Sequence, residues 1–159
     1  MRKTVLLATI TSTLLSATAA SAQDITRLYG PNPAPAIAQG AIVPPGYTTY
    51  YLSGALPSPI RPAANGQPAE YGDTASQTRS VLDNLKTVMD KMGIGYGDVV
   101  AAHVFLDQKA DAAAMNKVWS TEFGTATQPN KPARATVFVH ALVVPGTLVE
   151  IEFTAAKKP

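Results

Sequence analysis

Two β-patterned runs, residues 135–142 and 148–155, constrain the fold of this chain more than any other feature. Valine, isoleucine, phenylalanine and threonine, which favour extended strands, recur along both runs. Charged residues nevertheless occur here: Arg134 precedes the first run, and Glu150 and Glu152 lie within the second. Burying a charge without a partner is costly, so these three side chains are candidates for either an interface or a ligand site.

Two amphipathic helices precede these runs. The first is predicted from about Asp73 to Met92, because apolar residues recur every three to four positions between an aspartate N-cap and Gly93. The second is predicted from about Ala110 to Phe123, with a strand from about Val99 to Leu106 between the two helices. Two shorter β-like runs lie upstream. The order β-β-α-β-α-β-β predicts an α+β fold with both helices on one face of a sheet.

The first 22 residues have the pattern of a secretory signal peptide. Arg2 and Lys3 precede an apolar stretch, and Ala20-Ser21-Ala22 resembles a cleavage site. The apolar stretch is too short to span a bilayer, and no later window offers about 18 consecutive apolar residues. We therefore expect a secreted, periplasmic protein without a membrane span, whose single domain is residues 23–159.

The second face of the sheet needs a cover, because two helices can cover only one. The chain has no cysteine, and the length left after the leader suits one domain of ordinary size. A second copy of the same chain is the economical partner. The sequence therefore predicts an oligomer that associates through the uncovered face.

Charge and composition argue against several classes of function. Two of the 13 basic residues and none of the 11 acidic residues lie in the leader, which leaves equal numbers in the mature domain. A balanced charge argues against binding to nucleic acid or to an anionic membrane. The histidines, His103 and His140, have no close ligand spacing, and with no cysteine present we expect no metal site.

Strand alternation predicts which side chains share a face. Arg134 and Thr136 share one face of the first run, and Glu150 and Glu152 share one face of the second. We expect the Val/Ile/Phe faces to meet the helices, so that these polar side chains point to the association surface. Ion pairs between subunits could then hold the oligomer in register. Alternatively, Arg134 could leave its guanidinium open for a ligand carboxylate while a glutamate activates water.

The connection between the last two runs decides whether these groups can meet within one chain. A simple hairpin would place Arg134 about seven strand positions from the partner of Glu150, which is more than about 20 Å. The helix before residue 135 instead fits a parallel crossover from strand 99–106, and the last strand could then insert elsewhere in the sheet. Both topologies remain open at this point.

Several motifs together resemble the Rid family of reactive-intermediate deaminases, also called the YjgF/YER057c/UK114 family. The most specific similarity is Pro132-Ala133-Arg134 followed by Val149-Glu150-Ile151-Glu152. Ser53-Gly54 ahead of Leu56-Pro57 is similar to the family's S-G-x-x-P element, and Asn116 falls at the asparagine of its second helix. The order and spacing of these motifs carry the resemblance.

The resemblance implies a chorismate-mutase-like α+β fold with a mixed sheet, assembled as a homotrimer with ligand clefts between subunits. It implies a hydrolase that converts small carboxylate-bearing enamines and imines, such as 2-aminoacrylate, to keto acids and ammonia without metal or cofactor. By position, Arg134 and Glu150 become the catalytic residues. Arg134 clamps the substrate carboxylate, and Glu150 holds the attacking water, with Glu152 as the alternative.

The same resemblance assigns the lining of the substrate cleft to Ser53, Gly54, Asn116 and Thr136. Thr136 stands where the family commonly has a cysteine, and Ile37 stands at its pocket tyrosine. These two differences keep a second interpretation open, namely a non-catalytic trimer of the same fold that binds small carboxylates.

Overall fold

The computed structural model describes residues 24–32 and 36–159. The predicted leader, residues 1–22, lies outside the described residues. In chain order the elements are β1 Thr26–Leu28, β2 Gly40–Ile42, β3 Thr48–Ala55, α1 Thr74–Lys91, β4 Val99–Asp107, α2 Ala112–Trp119, β5 Ala133–Val139 and β6 Val149–Lys157, with a 3-10 turn at Tyr96–Asp98.

The main sheet has the strand order β3-β6-β4-β5. Strands β4 and β5 are parallel, with α2 in their connection, and β6 is antiparallel to both β3 and β4. The crossover topology is therefore correct and the simple hairpin is wrong. Strands β1 and β2 form a separate antiparallel ribbon. The result is a mixed sheet of the predicted α+β class.

The helix signals in the sequence act as predicted. The side chain of Asp73 accepts a hydrogen bond from a first-turn N–H at 2.8 Å, and Gly93 follows α1 with a φ of +69°, a conformation that glycine adopts without strain. Asp111 caps α2 in the same way. Helix α2 is shorter than predicted and ends at Trp119, although Phe123 beyond it remains buried.

Both helices pack on one face of the sheet, and the apolar core lies between them and β4 and β6. Its largest fully buried side chains include Trp119, Phe123, Phe153, Leu82, Leu85, Met89, Leu106, Met115 and Ile151. The other face of the sheet keeps large apolar side chains in solvent. Tyr51 on β3 is 79% exposed, and Val137 on β5 is 47% exposed. This apolar surface fits the predicted association face.

The predicted orientation of Arg134 and Thr136 is wrong. In the parallel pairing of β4 with β5, Arg134 is paired with Ala102 and Thr136 with Val104. Both of these β4 residues are buried under the helices. Laterally paired residues point to the same side of a sheet. Arg134 and Thr136 therefore lie on the helix side, opposite to the predicted association surface.

The reason for this error is that β5 is one of the two edge strands of the sheet. Both Val137 and Phe138 are exposed although they point to opposite sides, so hydrophobicity does not distinguish the two faces of this strand. Strand β6 is central, and its side chains lie on the two faces of the sheet as predicted. Its Ile151 is buried against the helices, and the neighbouring Glu150 and Glu152 point to the open face.

None of the helices in the described part of the chain combines the length and the hydrophobicity that crossing a bilayer requires.

Candidate functional site

Arg134 lies at the start of the edge strand β5, next to α2. Its guanidinium carbon lies 4.6 Å from the ring centroid of Trp119. Its Nη2 donates a hydrogen bond to Oδ1 of Asn116 at 2.6 Å, and its Nη1 lies 4.0 Å from Sδ of Met115. Asn116, Trp119 and Met115 all belong to α2, which therefore positions this arginine.

In the described part of the chain, no ion pair neutralises the charge of Arg134. Within residues 24–32 and 36–159, no carboxylate lies within ion-pair distance of its guanidinium, and its Nε has no hydrogen-bond acceptor. Burial lowers the pKa of Arg134 to about 10, because the charged form loses hydration that no protein anion replaces. Such a cation favours an anionic ligand, and its planar edge suits a carboxylate.

A cavity of about 370 Å³ is lined by Arg134 together with Asn32, Ala36, Ile37, Asn116, Trp119 and Ser120. A second cavity, of about 560 Å³, is lined by the start of β5, by residues 101–103 of β4 and by segments 30–32 and 37–39. Arg134 and Ile37 border both cavities. Two of the predicted site residues, Arg134 and Asn116, are thus brought together in one cleft, and Ile37 supplies an apolar wall.

Glu150 lies elsewhere, against the bulge that interrupts β3. Pairing between β3 and β6 shifts register between Leu52 and Ala55, so Ser53 and Gly54 form a β-bulge. A β-carbon built on Gly54 would stand 3.1 Å from Cδ of Glu150 and closer still to its Oε1. Three predicted site residues, Ser53, Gly54 and Glu150, therefore lie together at a second place on the surface.

The two groups of site residues do not meet within one chain. Strand β4 separates β5 from β6, and Arg134 and Glu150 point to opposite sides of the sheet. Glu152, the alternative carboxylate, is in hydrogen-bond contact with His103: its Oε1 lies 2.6 Å from Nδ1 of that ring. Glu150 is therefore the glutamate of the pair that is not held by a histidine.

Sequence reasoning missed the part that Trp119 and Met115 play at the site. Both lie on the apolar face of α2, and both are buried. The signal that could have found them is spacing: Trp119 follows Asn116 by three residues, which places the two side chains on one helix face. Across residues 24–32 and 36–159, His, Asp and Glu side chains form no cluster of three that could hold a metal ion.

Comparison with known proteins places these features in one family. The family model described as endoribonuclease L-PSP matches residues 32–157. The 3-aminoacrylate deaminase RutC of Acinetobacter baylyi is 37% identical over 105 residues, which cover 66% of this chain and 76% of that protein. A RutC family protein of Pyrococcus horikoshii is 39% identical over 87 residues, which cover 55% of this chain and 65% of that protein.

Solved structures agree. NMB1025 of Neisseria meningitidis, a member of the YjgF family, is 27% identical with a TM-score of 0.55, over 87% of this chain and 99% of that one. YyfB of Yersinia pestis, a Rid family protein, is 22% identical and supports the fold alone, with a TM-score of 0.67 over 85% of this chain and 100% of that one. The chain belongs to the endoribonuclease L-PSP family, that is, the Rid or YjgF/YER057c/UK114 family.

Proposed function

We propose that this protein is an exported Rid-type hydrolase that deaminates small enamines or imines bearing a carboxylate, releasing a keto acid and ammonia. The observation that carries the proposal is the half-buried guanidinium of Arg134, which lacks a protein counter-anion in the described chain and borders an open cleft. The name of the Acinetobacter relative, 3-aminoacrylate deaminase, supports this class of substrate. No metal or cofactor enters the proposed reaction.

The proposed catalytic cleft lies between two copies of the chain. Arg134 and Glu150 point to opposite sides of one sheet, so they can act on one small molecule only when they come from different copies. The exposed apolar side chains of Tyr51 and Val137 supply an association surface on the face that carries Glu150. A closed homotrimer satisfies both requirements, since each copy then contributes one arginine and one glutamate.

The proposed reaction needs few groups. The substrate carboxylate accepts hydrogen bonds from Arg134, which fixes the imine carbon in the cleft. An enamine first becomes the imine by gaining a proton on carbon and losing one from nitrogen. Glu150 of a second copy removes a proton from water as its oxygen adds to the C=N carbon, and the nitrogen gains a proton. The hydroxyl proton of the carbinolamine then moves to the nitrogen as the C–N bond breaks, which releases ammonia and leaves the keto acid. Ser53, Gly54, Asn116 and Thr136 line the path of the substrate.

A second candidate is a non-catalytic trimer that binds small carboxylates at Arg134. Ile37 and Thr136 favour it, because they replace the pocket tyrosine and the common cysteine of the family. The plainest alternative is a structural trimer without a ligand. Turnover and binding together separate the three candidates. The hydrolase releases ammonia, the binder binds keto acids without releasing ammonia, and the structural trimer does neither at millimolar keto or imino acid.

The decisive experiment measures ammonia release from 2-aminoacrylate or iminopropionate generated in situ. We expect release by the wild type and a loss of about 30-fold or more in Arg134→Ala, because removing one partner of a desolvated charge pair costs about 2–5 kcal/mol. Arg61→Ala is the matched control, since Arg61 forms an exposed pair with Glu70. If the wild type releases no ammonia but binds a keto acid, and Arg134→Ala abolishes that binding, the result would favour the non-catalytic binder.

Export is part of the proposal and rests on the leader pattern of residues 1–22. Expression of the full chain in a Gram-negative bacterium, followed by fractionation and intact mass of the product, tests it. We expect a periplasmic protein that begins near Gln23. A full-length protein in the cytosolic fraction would overturn the export proposal without touching the catalytic one.

A further inference from the structure

Trp119 is the only tryptophan of the chain, and it lies directly beneath the candidate ligand-binding cation. One face of its indole carries the guanidinium of Arg134 at 4.6 Å. Phe123 stacks on the indole with 4.3 Å between ring centroids and an interplanar angle of 26°. Only 1% of Trp119 is exposed. Arginine, indole and phenyl ring thus form a stack that links the cleft to the core.

The same indole holds the wall of the cleft. Its Nε1–H donates a buried hydrogen bond to the carbonyl oxygen of Ala36 at 2.8 Å, and Ile37 follows directly. The neighbouring N–H of Ala38 donates to the carbonyl of Pro132 at 2.8 Å, just before Arg134. The indole of Trp119 therefore contacts both the wall of the cleft, through Ala36, and the cation of Arg134.

Stacking on an aromatic face suits a cation that must remain available. A protein carboxylate would compensate the buried charge, but it would occupy the guanidinium edge that a ligand needs. An indole face attracts the cation through its quadrupole and uses none of the N–H donors. Asn116 engages one of the guanidinium nitrogens. The sulfur of Met115 lies 4.0 Å from Nη1, and each terminal nitrogen keeps a second N–H for an incoming acid.

We propose that Trp119 is a positioning residue, whose indole face orients the Arg134 guanidinium for a ligand carboxylate. This inference rests on the proposed function, in which Arg134 binds the carboxylate of the substrate. The residue itself does not touch the reacting atoms. Its effect on ligand affinity passes through the orientation of Arg134.

Calorimetric titration with 2-oxobutanoate tests the proposal in three proteins. Trp119→Phe keeps an aromatic face under the guanidinium and loses only the hydrogen bond to Ala36. Because the face orients the cation, we expect a dissociation constant within about threefold of the wild type. Trp119→Leu removes the face, and we expect binding at least about tenfold weaker. Equal losses in both variants, or an unchanged Trp119→Leu, would overturn the proposal. Thermal melts verify that each variant is folded.

Chemical rescue supplies a readout that a purely structural role would not move. In Arg134→Ala, added guanidinium at tens of millimolar, well below denaturing concentrations, should stack on Trp119 and restore 2-oxobutanoate binding. Methylammonium at equal ionic strength should not. The double variant Arg134→Ala/Trp119→Leu should show no rescue. Rescue that persists without the indole would contradict a positioning role.

A last measurement separates this proposal from the proposed function. Guanidinium should change the fluorescence of the single tryptophan in Arg134→Ala saturably, whether or not any keto acid binds. A wild type that binds no 2-oxobutanoate and releases no ammonia, together with a saturable change in Arg134→Ala, would overturn the function but support the stacking site. The absence of a saturable change would overturn the inference about Trp119.

Discussion

The carboxylate of Glu150 lies against the backbone of Gly54, where a β-carbon would stand 3.1 Å from Glu150 Cδ and nearer still to Oε1. The obstructed atoms are the end of a flexible side chain, so a methyl group at residue 54 would displace the carboxylate and leave the fold intact. The Ser53-Gly54 bulge thus sets the position of the proposed water-activating group.

Gly54→Ala should therefore separate activity from stability. We expect kcat/KM for ammonia release to fall about 10- to 100-fold, as displacement of a catalytic group by about 1 Å does elsewhere. The free energy of unfolding should change by less than about 1 kcal/mol. Gly95→Ala is the matched control, because a β-carbon there meets nothing within 4 Å. Full activity in Gly54→Ala would show that the position of Glu150 is unimportant.

The two glutamates of β6 should differ in their effect on turnover. Glu150→Gln should lower kcat about 100-fold or more, since it removes the proposed general base. Glu152→Gln breaks an exposed pair with His103 and should leave kcat within about threefold of the wild type. Steady-state ammonia release measures both variants. The reverse order of effects would assign the base to Glu152.

Asn116→Asp should convert a hydrogen-bond acceptor into a permanent competitor for the cation. Oδ1 of Asn116 already lies 2.6 Å from Nη2 of Arg134, so a carboxylate there would pair with it. We expect a higher melting temperature, because the buried charge gains a counter-ion. We also expect 2-oxobutanoate to bind at least about 30-fold more weakly. Asn116→Ala should lose less affinity and gain no stability. An Asn116→Asp protein that binds normally would contradict the role of Arg134.

Affinity for a carboxylate ligand should depend on pH through Arg134. Burial lowers its pKa to about 10, so the cation is fully populated at neutral pH and its proton is lost as pH rises through 10. We expect a constant dissociation constant between pH 7 and 9 and weaker binding above about pH 10, measured by calorimetry. Loss of affinity between pH 6 and 7 would point to a histidine instead.

The lowered pKa of Arg134 makes the stability of the fold change with pH in the opposite direction to the ligand affinity. The folded-state pKa lies below the ordinary value of 12.5, so between these two values the unfolded chain binds more protons than the folded one. The contribution of Arg134 to the free energy of unfolding is therefore unfavourable at neutral pH and improves as pH rises through that window. Arg134→Met, which removes the charge, should melt at a higher temperature than the wild type at pH 7.

Association should depend on Val137, which is 47% exposed on the open face of β5. Val137→Glu would bury an unpaired charge in the proposed interface, and we expect the trimer to dissociate at micromolar concentration. Light scattering after size-exclusion chromatography measures the mass, and ammonia release should be lost in parallel. Ile60→Glu, in the exposed loop before α1, is the control. A trimeric and active Val137→Glu would place the interface elsewhere.

The parts of the fold that follow from local signals could be predicted from the sequence. Asp73 and Gly93 mark the ends of α1 because capping involves groups only a few residues apart. Ile151 identifies the buried face of β6, because the apolar side chains of this central strand lie on one face and its polar side chains on the other. The mixed sheet followed from the resemblance, and the parallel crossover was one of two open topologies.

The geometry of the site could be predicted only in part. Arg134 and Asn116, both named as site residues from the sequence, lie in hydrogen-bond contact. The predicted face of Arg134 was wrong, since an edge strand such as β5 leaves both faces accessible. Trp119 looked like an ordinary core residue, because a buried aromatic on a helix stripe packs in the core far more often than it supports a cation. Its second role depends on how β5 lies beside α2, which involves contacts distant in sequence.

The last strand of the chain is also the one that joins the sheet. Strand β6 lies between β3 and β4, so a nascent polypeptide that ends before residue 149 has no partner for β3 and only the β4–β5 pair to build on. Sheet assembly must therefore wait until β6 itself has been synthesised. For the export proposed above, this order means that a translocation channel accepting only extended polypeptide would receive the chain before its sheet has formed.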